Sequence, residues 1–202
     1  MTIAIAGACT DSTVGQATPG GAGSTETSPP EGGGSDESSG SASPTVEIPA
    51  RPQDLSLEGV DPCALLTQAQ LTQLAGQMGF DEPPVPDTRE TAGVSMPACL
   101  VGQSAEPFNA FQLSLVTNEG IDVWLAGDRN VDAWLVSIAG YPAVNYKLMG
   151  TEDEECVTSV GVAEGQQLTV DLPTLVDTDY RKLCEITESV ATMATETLKT
   201  LR

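Results

Sequence analysis

Beyond about residue 55, apolar positions recur in two rhythms, alternate positions in several short runs and three-to-four spacing at either end. Ala110–Val116 alternates cleanly and predicts a strand, and Ala98–Val101, Trp134–Ile138 and Val144–Leu148 read the same way. Gly140-Tyr141-Pro142-Ala143 reads as the turn between the last two. Cys156–Val162 and Gln167–Leu172 flank Glu164-Gly165, a hairpin signal. Asp61-Pro62-Cys63-Ala64-Leu65-Leu66 opens a helix, with Asp61 as cap and Pro62 at the first position. Thr67 with Gln70 forms a capping box for a turn from Ala69 to about Ala75, which Gly76 and Gly79 end. Residues 81–93 are rich in proline and acid and read as a loop. Gly120–Gly127 predicts a short helix carrying Val123 and Trp124. A long helix capped by Asp177 or Thr178 runs to about Leu201. Its inward stripe is Tyr180, Cys184, Thr187, Ala191, Ala194 and Leu198.

Strands bracketed by helices predict an α+β fold. The expected sheet is mostly antiparallel, with about five to six strands packed by an N-terminal helix and a long C-terminal helix, after a disordered tail. Residues 1–9 read as a residual signal peptide, 10–54 as a linker and 55–202 as one globular domain. The linker is Gly, Ser, Thr, Pro and Glu, too poor in apolar surface to offset ordering entropy. A flexible chain of roughly 40 residues reaches about 35 Å, enough to clear a headgroup layer.

Composition narrows the function. The chain has 202 residues and a net charge of −21, with only eight Lys and Arg, all scattered. No basic patch exists to neutralise phosphate, which argues against nucleic acid and against electrostatic adhesion to anionic lipid. There is no histidine, which removes Ser-His-Asp and Cys-His catalysis and His-ligated metals.

The five cysteines divide into one and four. Cys9 ends the small, apolar run Thr-Ile-Ala-Ile-Ala-Gly-Ala, which resembles the lipobox of bacterial lipoproteins. The expectation is acylation at Cys9, by palmitate-like chains, on the extracytoplasmic face of the membrane. Only eight residues precede Cys9 and none is basic, so Met1 is expected to lie inside the true apolar stretch of the signal. Cys63, Cys99, Cys156 and Cys184 lie in folded sequence without CxxC spacing, so disulfides are expected rather than a redox pair or zinc ribbon. Four cysteines allow three pairings; Cys63–Cys99 and Cys156–Cys184 is the preferred one, since Cys184 lies on the inward stripe of the long helix.

Asp61-Pro62-Cys63-Ala64-Leu65-Leu66-Thr67 resembles the opening of the actinobacterial lipoproteins grouped as DUF3558. The later pattern agrees: Cys99, then Gly140-Tyr141-Pro142-Ala143, then Cys156-Val157 with Gly165-Gln166, then a helical Cys184. The resemblance implies a surface lipoprotein of a Gram-positive actinobacterium, with no enzymatic activity and no cofactor.

Three aromatic residues are candidate partner contacts: Trp124, Trp134 and Tyr141. Core packing is the commoner use of such tryptophans, and turn packing that of Tyr141. The acidic run Thr151–Glu155 and the segment Asp128–Asp132 carry oxygens that calcium could use, but lack an EF-hand pattern and read as solvated loop and turn, so no metal is expected. Two functions follow. The first is a non-catalytic module displayed on a lipid tether, binding a small ligand or an envelope protein. The alternative is a carboxylate-based cell-wall glycan hydrolase, which needs two carboxyls about 5–10 Å apart across a cleft.

Overall fold

The computed structural model describes residues 46–202 apart from 92, 151–154, 174, 176 and 177. Cys9, most of the linker and Thr151–Glu154 of the acidic run therefore lie outside the described residues.

Asp61 accepts from the Cys63 amide and opens a single 3-10 turn, Pro62–Leu65, rather than an α-helix. The α-helix follows at α1, Gln68–Met78. Thr67 and Gln70 cap it reciprocally, at 3.3 Å and 2.7 Å, and it ends at Gly79, whose φ of 76° favours glycine. Gly76 lies inside it. Among the described residues seven strands follow: β1 Val85–Thr91, β2 Val94–Gly102, β3 Ala110–Val116, β4 Val131–Ile138, β5 Tyr141–Leu148, β6 Cys156–Ala163 and β7 Gln166–Leu172. The short helix α2, Asp122–Leu125, stands before β4, and α3, Tyr180–Thr200, ends the fold. The cap of α3 is Asp179, accepting from the Lys182 amide at 3.0 Å, and not Asp177 or Thr178.

The strands form one sheet in the order β1-β2-β3-β7-β6-β5-β4, antiparallel throughout. Seven strands exceed the expected five to six, because β1 lies in the segment read as a loop. It is an edge strand, where Pro86 is tolerated, and most of it is exposed, so no hydrophobic alternation marks it. The turn between β4 and β5 is Ala139-Gly140, one step earlier than expected. Both residues have positive φ, 51° and 86°, as a two-residue hairpin turn requires.

One sheet face is apolar. Phe111, Leu113, Leu115, Val160, Leu168 and Val170 bury against Leu183, Val190, Ala191, Ala194 and Leu198 of α3. The inward stripe is wider than expected, taking in Leu183, Ile186 and Val190 as well. The 3-10 turn packs on β2 and β3, while α1 reaches α3 through Gln70, which donates to the Met193 carbonyl at 3.0 Å. Both disulfides close as expected: Cys63–Cys99 joins the opening turn to β2, and Cys156–Cys184 joins β6 to α3, each with Cα atoms 5.1 Å apart. Beside the second, Thr158 bonds both Asn145 of β5, at 2.8 Å, and Thr187 of α3, at 2.7 Å. This fixes the helix across the strands in a core where unpaired polar groups are costly.

The domain begins before residue 55. Ile48 packs on a second apolar cluster and Arg51 pairs with Asp54 at 2.9 Å and Glu164 at 3.3 Å. Among the described residues, no helix is long and apolar enough to cross a membrane.

Candidate functional site

The face of the sheet away from α3 is polar at its centre. The strand register places Gln112 and Ser114 of β3, Gln167, Thr169 and Asp171 of β7, Ser159 of β6 and Tyr146 of β5 on it. Ser114, Ser159, Gln167 and Thr169 are all buried. Arg89 of β1 pairs with Asp171 of β7 at 2.9 Å. On a flat sheet the strands of that pair would stand about 14 Å apart, at ~4.8 Å per spacing, so the sheet curls around this face.

The segment 117–130 covers the concavity. Gly161 lets it approach, since a Cβ there would stand 3.0 Å from the Ile121 Cδ1. α2 then lays Trp124 parallel to Tyr146, with centroids 4.0 Å apart and planes 17° apart. The indole N–H donates to Gln167 Oε1 at 2.8 Å. Arg129 stacks over the other indole face at 4.3 Å and holds Glu119 through two bonds, of 2.6 Å and 3.3 Å. Neither exposed ion pairs nor single rings lock a loop well; this one combines both with a buried amide.

Between these groups lies a cavity of about 170 Å³, walled by Arg89, Thr91, Trp124, Arg129, Tyr146 and Gln167. Thr91 Oγ1 and Tyr146 OH lie behind this lining, sealed from the cavity and without a hydrogen-bond partner, as Tyr180 OH and Thr195 Oγ1 are elsewhere in the fold. Burial pushes the Tyr146 phenol well above its ordinary range; Arg89 opposes this and Asp171 adds to it. Ser159 lies close enough to temper the shift, but its hydroxyl pairs with Thr169 at 3.0 Å and makes no well-aligned bond to the phenol. The phenol is therefore a neutral donor and acceptor at physiological pH.

The three aromatic candidates part company. Trp124 walls the cavity. Tyr141 is 1 % exposed in the main core, so its ring is not presented to a partner; it is the first residue of β5, and alternation turns it toward α3. Trp134 lies on the α3 side of the edge strand β4, 37 % exposed. It meets Tyr180 edge-on at 5.6 Å, and Lys147 caps the Tyr180 ring at 4.6 Å. Burial, then Asp132 and Glu155, push the Tyr180 phenol upward. Asp128–Asp132 is the turn into β4, with Asn130 donating to the Met149 carbonyl at 2.7 Å. Arg89, Thr91, Glu119, Arg129, Tyr146 and Gln167 escaped the sequence reading. Among them Gln167 alone carried a signal, the polar half of the alternation in β7, which ordinarily means solvent.

The chain carries a curled antiparallel sheet with a helix on one face and a small polar cavity on the other. It belongs to the family described as a protein of unknown function (DUF3558), whose model matches residues 4–197. No curated protein and no solved structure matches the chain.

Proposed function

We propose that this chain is a non-catalytic binding module, held by a lipid on Cys9 to the extracytoplasmic face of the cell membrane, with the cavity beneath Trp124 as its site. The observation that carries the binding reading is the cavity of about 170 Å³ beneath Trp124, which Arg89, Arg129 and Gln167 line with polar groups. A ligand oxygen in that space would meet guanidinium and amide N–H donors. Of the glutamates that line the cavity, Glu119 accepts from Arg129 and Glu90 is exposed on the edge strand, while Asp171 nearby accepts from Arg89. With Glu119 engaged, Glu90 has no unengaged carboxyl facing it on this cavity, which favours binding over the glycan-hydrolase reading. Two disulfides suit an oxidising compartment and so support export. The lipobox-like run ahead of Cys9 and the extended linker support a tether that carries the module toward an envelope ligand or protein.

Trp124 supplies the readout. In a Trp134→Phe variant of the full chain, emission comes from Trp124 alone. Titration with the low-molecular-weight fraction of the cell envelope is expected to change that emission saturably. Emission that stays constant at every dose would contradict the assignment.

A further inference from the structure

We infer that the outer edge of β4 takes an extended peptide segment of alternating basic and apolar residues, which adds to the sheet as a further strand. The surface is separate from the cavity beneath Trp124, since no residue of β4 lines that cavity. β4 is the last strand of the sheet, and its pairing with β5 runs unbroken from Val131 to Ile138. The two-residue turn at Ala139-Gly140 makes Ile138 and Tyr141 a hydrogen-bonded pair, so Ile138, Val136, Trp134 and Asp132 bond toward β5. The Met149 N–H, donating to the Asn130 carbonyl at 3.0 Å, continues the same alternation. Ala133, Leu135 and Ser137 therefore turn their N–H and C=O groups outward, and no described residue pairs with them.

The two edges of the sheet differ. β1 carries Pro86, Asp87, Arg89 and Glu90, the kinds of residue that keep an edge from pairing. β4 has no proline and no lysine, and its single charge, Asp132, stands near its start. An unguarded edge of this length is a template for another strand. The side chains set the chemistry of that strand. On the α3 side Trp134 and Asp132 are both exposed, and Lys147 sits over the Tyr180 ring rather than over the indole. Burial pushes the Tyr180 phenol up and Asp132 and Glu155 push it further, so the field on this side is negative. A Lys or Arg of the incoming strand would meet both the indole and the Asp132 carboxylate there. On the other side Val131, Ala133 and Leu135 are half-buried, and Leu148, paired with Val131, is exposed; an aliphatic side chain would cover them. Successive residues of a strand point to opposite faces, so the basic and apolar residues must alternate. A second copy of this chain fits less well, because it would bring another Asp132 and a net charge of −21 to the same edge.

The test uses the full chain and a fluorescent octapeptide of alternating Lys and Val, read by anisotropy at physiological salt. Saturable binding is expected. A Lys-Pro octapeptide has the same charge but its prolines cannot donate to a ladder; a Glu-Val octapeptide can donate but has the opposite charge. Both should bind roughly tenfold or more weakly. N-methylation tests the ladder without touching the protein: of two Lys-Val peptides, one methylated at its lysine amides and one at its valine amides, one should lose binding and the other keep it. Ser137→Pro and Ala133→Pro each remove one outward N–H and leave the bonds to β5, so each should weaken the Lys-Val peptide about tenfold with Tm nearly unchanged. No saturable binding would overturn the inference, and so would equal binding of the Lys-Val peptide and either control. Methylation that acts alike at both sets of amides, or folded proline variants that bind as the wild type does, would place the peptide elsewhere. A wild-type dimer that Ser137→Pro dissociates would give the edge to a second copy and overturn the peptide partner.

Discussion

A chain with both Cys156→Ala and Cys184→Ala is expected to melt roughly 10 °C below the wild type. The bridge closes a separation of 28 residues, which constrains the unfolded chain by about 3–4 kcal/mol in the loop-entropy view. A domain of this size loses roughly 2–4 °C in Tm per kcal/mol. The native state loses something too, since Cys156 is fully buried and Cys184 nearly so, where α3 crosses β6. The Asn145, Thr158 and Thr187 bonds beside the bridge should keep α3 in register, so the variant is expected to fold. Calorimetry of the oxidised wild type against the double variant reads the difference. Equal melting temperatures would mean that the bridge does not form in the natural protein.

Replacing Cys9 by Ala in the natural gene should move the protein from the membrane pellet to the soluble fraction. A single acyl chain gives a membrane association constant of only about 10⁴ M⁻¹, whereas two chains hold stably, so losing both should lower membrane partition by more than about a hundredfold. The net charge of −21 offers no compensating attraction to anionic headgroups. Metabolic labelling with palmitate should mark the wild type and leave the variant blank. A variant that stays pelleted, or a wild type that takes no label, would refute the anchor.

The parts of this fold that were legible are those in which one local pattern decided the outcome. Ala110–Val116 alternates because one of its faces is buried under α3, and β3 has those bounds. The Thr67–Gln70 box and the Glu164-Gly165 hairpin are chemical signatures of only a few residues, and both stand where expected. The cysteine pairing followed from placing Cys184 on the inward stripe of a helix. What failed was where tertiary context overrides pattern. β1 has the composition of a loop and becomes a strand because β2 offers it an edge. Tyr141 resembled a displayed turn residue until the turn proved to sit one residue earlier, which put its ring in the core.

The cavity was hidden for a related reason. Thr169, Asp171 and Gln167 read as the wet half of a strand, and the ion-paired Arg89 and Arg129 as ordinary surface charges. Only the curl of the sheet and the cover supplied by α2 bring them together, over separations of 80 residues and more in the case of Arg89 and Asp171, which are 82 apart. Trp124 alone was singled out in advance, because it is one of two tryptophans.

A crystal structure of the full chain purified from its own cell envelope tests the ligand cavity most directly. Continuous density larger than water, in the cavity lined by Arg89, Trp124, Arg129 and Gln167, is the expected result. Waters alone, or a closed cavity, would contradict it.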